Sequence, residues 1–244
     1  MSKVLSIVIP AYNEEKTIKK LLEKVTTFVL PDGYKKEIII INDCSKDKTE
    51  QIVKEYIKRR KGYSLISNEK NLGKTQSVKK GLQQTTGNWV VIQDADLEYE
   101  PEDLSHMLDW ALTKDLDVVY GDRFGGDNGL LYLSFFLGNK IVSFVSNIFT
   151  FPRTKKWIPD MEVCYKLIKG SVVRKIAPKI TAKSSFGLEP EITARLARYS
   201  RKGKPLKWGI VPIRYYPRTI EQGKKIRYSD GLKAIIEIIK YNMF

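Results

Sequence analysis

Three clusters of acidic and polar residues in the first hundred positions each follow a short apolar run, at residues 10–14, 42–47 and 94–98. Carboxylates gathered in one place repel one another unless a cation joins them. A divalent ion that holds a diphosphate meets that need, since Mg²⁺ is usually bound by one or two carboxylates together with phosphate oxygens. The spacing of Asp94 and Asp96 favours such a site, because alternate side chains of an extended segment point the same way. One Asp-x-Asp is a weak signal by itself, and the presence of an acidic cluster after each of three apolar runs is what indicates a site.

The apolar runs and the segments between them predict an α/β fold. Apolar residues at positions 18, 21, 22 and 25 recur at the spacing of one helix face. The runs predicted as strands are residues 5–9, 38–41, 64–67, 89–93 and 118–120. Strands that alternate with helices form a mostly parallel sheet covered on both faces. Because ligands of such sheets bind beyond the carboxyl ends of the strands, the acidic clusters are expected to meet at one edge.

The composition is that of a globular protein with an uneven distribution of charge. Apolar residues make up 42% of the chain and charged residues 29%, which excludes a disordered polypeptide. Cys44 and Cys164 lack metal-ligand spacing, so neither a disulfide framework nor a zinc site is expected. Residues 1–150 carry equal numbers of acidic and basic side chains, so the net charge of +15 comes from residues 151–244. That region favours a polyanionic partner: nucleic acid, an anionic membrane surface or a phosphorylated ligand.

Two segments of the second half are amphipathic. Residues 130–151 have the length of a membrane span, but Lys140 lies near the middle and polar residues recur at helical spacing. We expect this segment to lie in or near a membrane interface, with a core helix as the alternative interpretation. The last predicted helix, at residues 229–242, has an apolar face and allows the same two interpretations. The apolar run at the N-terminus is too short for a signal peptide, which predicts an intracellular chain.

An ordered series of motifs resembles family 2 of the glycosyltransferases, and within it the polyprenyl-phosphate hexosyltransferases typified by dolichol-phosphate mannose synthase. The motifs are SIVIPAYNEE at 6–15, INDCSKDKT at 41–49, NLGK at 71–74, QDADLE at 93–98, GDR at 121–123, DMEVCYK at 160–166, FGLEPE at 186–191 and YYPRT at 215–219. The resemblance implies a GT-A (Rossmann-like) α/β fold, in which a mostly parallel sheet is flanked by helices and amphipathic interfacial helices follow in the C-terminal half. It places a catalytic domain at residues 1–220, with a donor half at about 1–125 and an acceptor half at about 126–220. Residues 221–244 are then a C-terminal amphipathic helix.

The resemblance also implies roles for individual residues. The donor-binding residues are Pro10, Ala11, Tyr12, Glu14, Asp43, Lys74, Asp94, Ala95 and Asp96. Asp96 is expected to bind Mg²⁺ or Mn²⁺, with Glu98 as a second ligand where many relatives have glutamine. The predicted catalytic residues are Asp160 near the reacting centre and Arg123 and Arg218 on phosphate groups, a role that suits the guanidinium fork. Surface ion pairs are the alternative for both arginines. Glu189 and Glu191 are either sugar-hydroxyl contacts or acids in the first turn of a helix.

The reaction that this resemblance implies is the inverting transfer of a hexose, mannose or glucose, from a GDP- or UDP-sugar to a polyprenyl phosphate (dolichyl or undecaprenyl). The expected partners are the nucleotide-sugar donor, the polyprenyl phosphate acceptor, an anionic membrane surface at the cytoplasmic face and a membrane protein that assists attachment. One alternative is a family 2 transferase acting on a polysaccharide or another soluble acceptor. A distant alternative is a basic nucleic-acid-binding protein, but no nucleic-acid-binding motif is present and we expect no nucleic acid partner.

Overall fold

In the computed structural model, which describes residues 3–126, 128, 133–201, 203–218 and 228–243, strands and helices alternate through the first half of the chain. The strands are β1 (Lys3–Ala11), β2 (Tyr34–Asn42), β3 (Tyr63–Ser67), β4 (Trp89–Ile92), β5 (Val118–Asp122), β6 (Lys166–Lys169), β7 (Ser200–Arg201), β8 (Lys204–Pro205) and β9 (Trp208–Pro212). The helices are α1 (Ile18–Thr27), α2 (Thr49–Ile57), α3 (Lys74–Gln84), α4 (Asp103–Thr113), α5 (Leu133–Thr154), α6 (Gly170–Ile176), α7 (Leu188–Arg198) and α8 (Tyr228–Met243). The five strands predicted from the sequence are therefore confirmed.

Within the described residues, one sheet of seven strands runs in the order β3-β2-β1-β4-β6-β5-β9. Neighbouring strands pair in parallel except at β6, which is antiparallel to both β4 and β5. The carboxyl ends of the other strands therefore meet at one edge, and the amino end of β6 lies at the same edge. The predicted mostly parallel α/β sheet is confirmed, whereas β6 and β9 were not predicted as strands.

Helices cover the central strands on both faces, which explains the uninterrupted apolar runs of β1 and β2. Ile7, Val8 and Ile9 are fully buried, as are the four α1 residues whose spacing predicted a helix. Gly81 of α3 lies so close to β1 that an added Cβ would meet Val8 Cγ1 at 2.4 Å. This close approach fixes the position of α3, whose first residue is Lys74.

Helix α5 is amphipathic, but unlike an ordinary surface helix it buries its polar face and exposes an apolar stripe. Its polar residues Ser143, Ser146, Asn147 and Thr150 are buried. Its apolar residues at positions 137, 141, 144, 148 and 151 are instead between 43% and 57% exposed. Residues 130–132 of the predicted amphipathic segment lie outside the described residues. None of the described helices is long and apolar enough to cross a membrane.

The buried polar face of α5 holds the chain segment that leads to β6. Asn147 donates from Nδ2 to the carbonyl oxygen of Ile158 and accepts the Ile158 N–H, at 2.8 and 2.9 Å. Ser143 Oγ accepts the N–H of Met161 at 2.9 Å. These side chains supply the hydrogen bonds that a buried irregular segment requires. Residues 158–161 are thereby fixed at the carboxyl edge of the sheet.

Helix α8 packs against α5 and α7, and it repeats the pattern of an exposed apolar stripe. Ala234, Ile238 and Asn242 are buried against the protein. The apolar residues exposed on the opposite side are Leu232, Ile236, Ile239 and Met243. The helix predicted at 229–242 is confirmed, and residues 219–227 and 244 lie outside the described residues.

Candidate active site

Each acidic cluster follows its strand through a tight turn. The backbone φ is positive at Asn13, Cys44 and Leu97, with values of 55°, 58° and 63°. Non-glycine residues rarely adopt this conformation, and such strain concentrates at functional sites. Because β4 ends at Ile92, Asp94 and Asp96 lie in a turn rather than in an extended segment. Asp94 pairs with Lys74 and Asp96 pairs with Arg218, and the expectation that the two carboxylates point the same way stays a prediction.

Asp94 pairs with Lys74, the first residue of α3. Lys74 Nζ lies 2.8 Å from Asp94 Oδ1 and 3.0 Å from Oδ2. The same ammonium group lies 3.8 Å from Glu189 Oε1 in the first turn of α7. Burial lowers the pKa of Lys74, but the carboxylates of Asp94 and Glu189 raise it well above its usual value. A permanent positive charge thus links the end of β4 to the start of α7.

Asp43 fixes the backbone that precedes Lys74. Its Oδ1 accepts the N–H of Leu72 and its Oδ2 accepts the N–H of Gly73, both at 2.8 Å. Asn68 donates a further hydrogen bond to Oδ1 at 2.8 Å, and Asp43 is buried. The structure therefore gives Asp43 a role in shaping the 71–74 loop, while its predicted contact with the nucleotide stays a prediction.

The remaining donor-binding candidates lie at the same edge of the sheet. Pro10 and Ala11 end β1, and Ala95 is buried in the turn after β4. The ring of Tyr12 is exposed beyond β1, where a flat aromatic surface is available to a ligand. Glu14 accepts a hydrogen bond from the hydroxyl of Thr17 at 2.7 Å. All nine predicted donor residues thus lie at one edge of the sheet, in strand ends, in the turns and loops that follow, or at the start of α3.

Arg218 lies between the two predicted metal ligands. Its Nη2 is 2.8 Å from Asp96 Oδ2 and its Nε is 3.1 Å from Glu98 Oε1. Tyr215 donates its hydroxyl hydrogen to Glu98 Oε2 at 2.5 Å. Burial and the neighbouring carboxylates of Asp94 and Glu98 raise the pKa of Asp96 to about 7, against the opposing effect of Arg218. A half-buried and a buried carboxylate that contact the same guanidinium have the chemistry to hold a divalent ion.

The described residues do not form a metal cage by themselves. No three His, Cys, Asp or Glu side chains in the described ranges converge closely enough to hold an ion. Asp96 and Glu98 supply two carboxylates, which is the number that Mg²⁺ commonly takes from protein when phosphate oxygens provide other ligands. The residues present therefore fit an ion that binds together with a diphosphate.

Arg123 and Asp160 form a bidentate ion pair on the other side of the site. Arg123 Nε donates to Asp160 Oδ2 at 2.7 Å, and Nη2 donates to Oδ1 at 2.8 Å. Asp160 is fully buried, so the surface ion pair considered for Arg123 is excluded. The guanidinium also lies 5.0 Å from the centre of the Tyr215 ring. In the structure Asp160 holds Arg123 through both of its carboxylate oxygens, and its predicted role near the reacting centre stays a prediction.

The structure separates the two glutamates of α7 that the sequence could not distinguish. Glu191 is fully buried and accepts the N–H groups of Thr181 and Ala182 and the side chain of Arg195. Its role is structural, so it is not a sugar contact. Glu189 has no hydrogen bond to its carboxylate among the described residues and faces Lys74.

Sequence reasoning missed Glu162, which lies in the loop before β6. Its Oε1 is buried and has no hydrogen-bond partner among the described residues. Burial raises its pKa to about 8, with the carboxylate of Glu189 adding to the effect. The only signal in the sequence is its place within the motif at 160–166.

Comparison with known proteins identifies the family. The chain is 27% identical over 174 residues to a dodecaprenyl-phosphate galacturonate synthase of Rhizobium johnstonii, a match that covers 70% of this chain and 49% of the relative. It is 31% identical over 190 residues to a dolichyl-phosphate beta-glucosyltransferase of Dictyostelium discoideum, covering 72% of this chain and 57% of the relative. The chain thus spans about half the length of these curated relatives.

The fold matches solved structures over nearly the whole chain. A Mycobacterium tuberculosis glucosyl-3-phosphoglycerate synthase, solved with Mn²⁺, UDP and glucosyl-3-phosphoglycerate, superposes with a TM-score of 0.67. The sequence identity is 18%, and the match covers 99% of this chain and 80% of the other. This similarity confirms the predicted GT-A fold. The family model described as "Glycosyl transferase family 2" matches residues 6–176 of the chain. The chain therefore belongs to glycosyltransferase family 2.

Proposed function

We propose that the protein is an inverting hexosyltransferase that moves a mannose or glucose residue from a GDP- or UDP-sugar to a polyprenyl phosphate. The observation that carries this proposal is the position of Arg218 between Asp96 and Glu98. The guanidinium that we propose to bind phosphate, the two candidate metal ligands and the ion pair of Lys74 and Asp94 lie at one edge of the sheet. The names of the two curated relatives, both polyprenyl-phosphate sugar transferases, support the acceptor class.

Mg²⁺ or Mn²⁺ is the proposed cofactor, held by Asp96 and Glu98. When bound, the ion would supply positive charge to the departing diphosphate. On this side of the site the chain contributes Lys74, whose ammonium group is fixed by Asp94. Such a preorganised cation stabilises the negative charge that develops on the leaving group.

The acceptor needs orientation more than activation. The second ionisation of a phosphate monoester has a pKa of about 6, so the attacking oxygen already carries charge near neutral pH. Arg123 retains N–H groups beyond the two that bind Asp160, and these are suited to phosphate oxygens. We therefore assign Asp160 to positioning Arg123, and both groups to aligning the acceptor with the anomeric carbon.

A lipid acceptor is favoured over a soluble one by the exposed apolar stripes of α5 and α8. On α5, Phe144 and Phe151 lie 6.0 and 6.3 Å from the exposed ring of Trp157, measured between ring centroids. Soluble proteins rarely expose apolar patches of this kind without a partner, and tryptophan favours the membrane interface. The polar face of the same helix holds residues 158–161 of the active site. A polysaccharide or soluble acceptor, the competing proposal, leaves these stripes unexplained.

The proposed attachment is peripheral, at the cytoplasmic face of an anionic membrane. Arg153, Lys155 and Lys156 are exposed next to Trp157, and Lys233 and Lys240 are exposed on α8. Basic side chains near an anionic surface each contribute about 1 kcal/mol of attraction. The exposed apolar faces are also the surface that a membrane-protein partner would contact.

The test is transfer of radiolabel from a panel of UDP- and GDP-hexoses into organic-extractable lipid, with added polyprenyl phosphate and Mg²⁺ or Mn²⁺. We expect label from one donor that requires both the acceptor and the metal ion. Label in a soluble glycan would retain a glycosyltransferase and overturn the lipid acceptor. Label that persists in excess chelator would overturn the metal assignment.

A further inference from the structure

Tyr215 contacts, with a single half-buried side chain, two groups that we assign to opposite ends of the reaction. Its hydroxyl group donates a hydrogen bond to Glu98 Oε2 at 2.5 Å. The centre of its ring lies 5.0 Å from the guanidinium carbon of Arg123. Glu98 is a proposed ligand of the ion and Arg123 is proposed to bind the acceptor phosphate, so one residue contacts both of these groups.

The hydroxyl group of Tyr215 leaves the other carboxylate oxygen of Glu98 to a cation. Oε2 accepts the tyrosine hydrogen bond, whereas Oε1 accepts the backbone N–H and the Nε–H of Arg218, each at 3.1 Å. If the proposed ion replaces the guanidinium, it meets Oε1 while Oε2 stays bound to Tyr215. Carboxylates that bind metal ions are usually oriented by such a second hydrogen bond, and its loss commonly weakens metal binding about 10- to 100-fold.

The ring of Tyr215 adds an attraction on Arg123 that does not require an N–H group. Asp160 binds Nε and Nη2 of Arg123 at 2.7 and 2.8 Å. A cation over an aromatic face is attracted by the quadrupole of the ring and needs no hydrogen bond. The Phe124 ring is a second aromatic neighbour of the same guanidinium, at 5.7 Å. The ring can therefore hold Arg123 without occupying the donors that a phosphate would use.

The backbone around Tyr215 is fixed to both groups as well. Its N–H donates to Asn128 Oδ1 at 3.0 Å, and Asn128 Nδ2 donates to the carbonyl oxygen of Arg123 at 2.8 Å. On the other side, Tyr215 and Tyr99 form an isolated β-bridge, and their ring centroids are 5.2 Å apart. Tyr99 directly follows Glu98 in the chain. Tyr215 is thus fixed relative to both Glu98 and Arg123, which a residue that orients other groups requires.

We propose that Tyr215 is a positioning residue for both ends of the transfer: its hydroxyl group orients Glu98 toward the ion, and its ring orients Arg123 toward the acceptor phosphate. The inference rests on the proposed function for the identity of the ion and of the acceptor. Because the two contacts come from different parts of one side chain, substitutions can remove them one at a time.

Tyr215→Phe removes the hydroxyl group and keeps the ring. We expect its affinity for Mn²⁺ in the presence of UDP or GDP to fall about tenfold, because Glu98 loses the hydrogen bond that orients it. The KM for polyprenyl phosphate should change less than about twofold at saturating Mn²⁺, because the ring over Arg123 remains. Electron paramagnetic resonance of Mn²⁺ measures the first quantity and steady-state kinetics measure the second. An unchanged Mn²⁺ affinity would overturn the role of the hydroxyl group.

Tyr215→Leu removes the ring as well. Relative to Tyr215→Phe, we expect a kcat/KM for polyprenyl phosphate that is about fivefold lower, without a further loss of Mn²⁺ affinity. Equal acceptor kinetics in the two variants would overturn the role of the ring. If the leucine variant does not fold, Tyr215→Met takes its place, because methionine fills irregular space in a core without supplying an aromatic face.

Two other tyrosines provide matched controls for the loss of a hydroxyl group. Tyr216 is 55% exposed, so Tyr216→Phe should leave both the Mn²⁺ affinity and the acceptor kinetics unchanged. The buried hydroxyl group of Tyr99 accepts the N–H of Cys164 at 3.1 Å, so Tyr99→Phe should lower the melting temperature without weakening Mn²⁺ binding. Equal losses of Mn²⁺ affinity in Tyr99→Phe and Tyr215→Phe would mean that general loosening of the fold is the cause, which would overturn the positioning role.

The same measurements separate this inference from the proposed function. Metal-dependent lipid product in the wild-type protein, with Tyr215→Phe indistinguishable from it in Mn²⁺ affinity, would retain the proposed function and overturn the role of the hydroxyl group. Weaker Mn²⁺ binding in Tyr215→Phe, without lipid product from any donor, would overturn the acceptor and the role of the ring while the role of the hydroxyl group stands. No binding of Mn²⁺ to the wild-type protein with either nucleotide would overturn both the proposed ion and the inference.

Discussion

Arg218 and Asp96 form an ion pair of 2.8 Å at the turn that carries the two proposed metal ligands. The same guanidinium reaches Glu98 at 3.1 Å. An arginine in this position compensates the charge that a divalent ion would neutralise. An ion held by Asp96 and Glu98, as proposed, would displace the guanidinium of Arg218 and leave its N–H donors available to phosphate oxygens.

Asp96→Asn should reduce transfer at least about 100-fold, because the variant loses charge from the proposed ion site and the diphosphate with it. The fold should survive, since Asn keeps the shape of a side chain whose pKa is already raised to about 7 by burial and neighbouring carboxylates. Initial rates across a Mn²⁺ titration, with circular dichroism as the check on folding, measure both effects. Normal turnover in a folded Asp96→Asn protein would show that the ion is held elsewhere.

Arg218→Ala should bind Mn²⁺ with nucleoside diphosphate at least as tightly as the wild-type protein, because the competing guanidinium is gone. Transfer should nevertheless fall, with the loss in the KM for polyprenyl phosphate or in kcat and not in the donor affinity. Electron paramagnetic resonance of Mn²⁺ gives the ion affinity and steady-state kinetics give the rest. Weaker ion binding in this variant would contradict the exchange of Arg218 for the ion.

The strand pattern of the donor half was readable from the sequence because β1, β2 and β4 are buried by helices on both faces. The ends of their apolar runs locate three of the turns at the carboxyl edge of the sheet. The ordered set of motifs predicted the GT-A fold. The partners of the charged residues were not readable, since Asp96 and Arg218 are 122 residues apart in the chain. The state of Glu162 was not readable either. Its Oε1 is buried without a hydrogen-bond partner only in the folded chain, where β6 pairs with its neighbours.

The sequence of α5 predicted that the helix has a polar and an apolar face, but not that the polar face is the buried one. Periodicity shows that Ser143 and Asn147 share one side of the helix, but it does not say which side is buried. The usual expectation would bury the apolar face. Here the hydrogen bonds of Asn147 to Ile158 decide the orientation, and they depend on tertiary structure.

On α5, loss of a polar side chain should therefore destabilise the protein more than loss of an apolar one. Asn147→Ala leaves the N–H and carbonyl groups of Ile158 without partners, at a cost of roughly 1–3 kcal/mol. Ile148→Ala, one position further along the chain, changes an exposed residue and should cost less than about 0.5 kcal/mol without a membrane. Urea unfolding curves of the two variants test the order. The reverse order would mean that α5 is turned the other way.

Phe144→Glu and Ile148→Glu should abolish flotation with anionic liposomes while leaving nucleotide binding unchanged. Both substitutions place a charge on the exposed apolar face of α5, whereas the hydrogen bonds to residues 158–161 come from its buried polar face. Val29→Glu, at an apolar residue that is 80% exposed after α1, is the matched control and should still float. Binding of the wild-type protein should weaken as salt rises, because surface charges are screened. Undiminished flotation of both α5 variants would rule out this face as the attachment site.

Glu162→Gln should become increasingly more stable than the wild-type protein as pH rises from 5 to 8. Burial, with the Glu189 carboxylate adding to it, raises the pKa of Glu162 from 4.5 to about 8 in the folded state. Between those values the folded protein keeps a proton that the unfolded chain has released, so wild-type stability falls with increasing pH. The variant cannot titrate at this position.

Melting temperatures of the two proteins at each pH measure this gap. For a chain of this size each kcal/mol corresponds to roughly 2–4 °C in Tm. A constant gap across the range would show that Glu162 is ionised throughout.

The antiparallel strand β6 has a consequence for how new acceptor specificities can be built. The chain leaves the sheet at the end of β5 and returns at β6, and these two strands are direct neighbours, with Tyr120 opposite Lys166. An excursion that starts and ends on adjacent strands can be lengthened, shortened or exchanged at little entropic cost, since loop-closure entropy grows slowly with length. Residues 123–165, which include α5 and Asp160, are therefore a segment that could be exchanged for the corresponding segment of a relative. Replacing them should change the acceptor if this segment binds it, as proposed, and would leave β1, β2 and β4 and the turns proposed to bind the nucleotide unchanged.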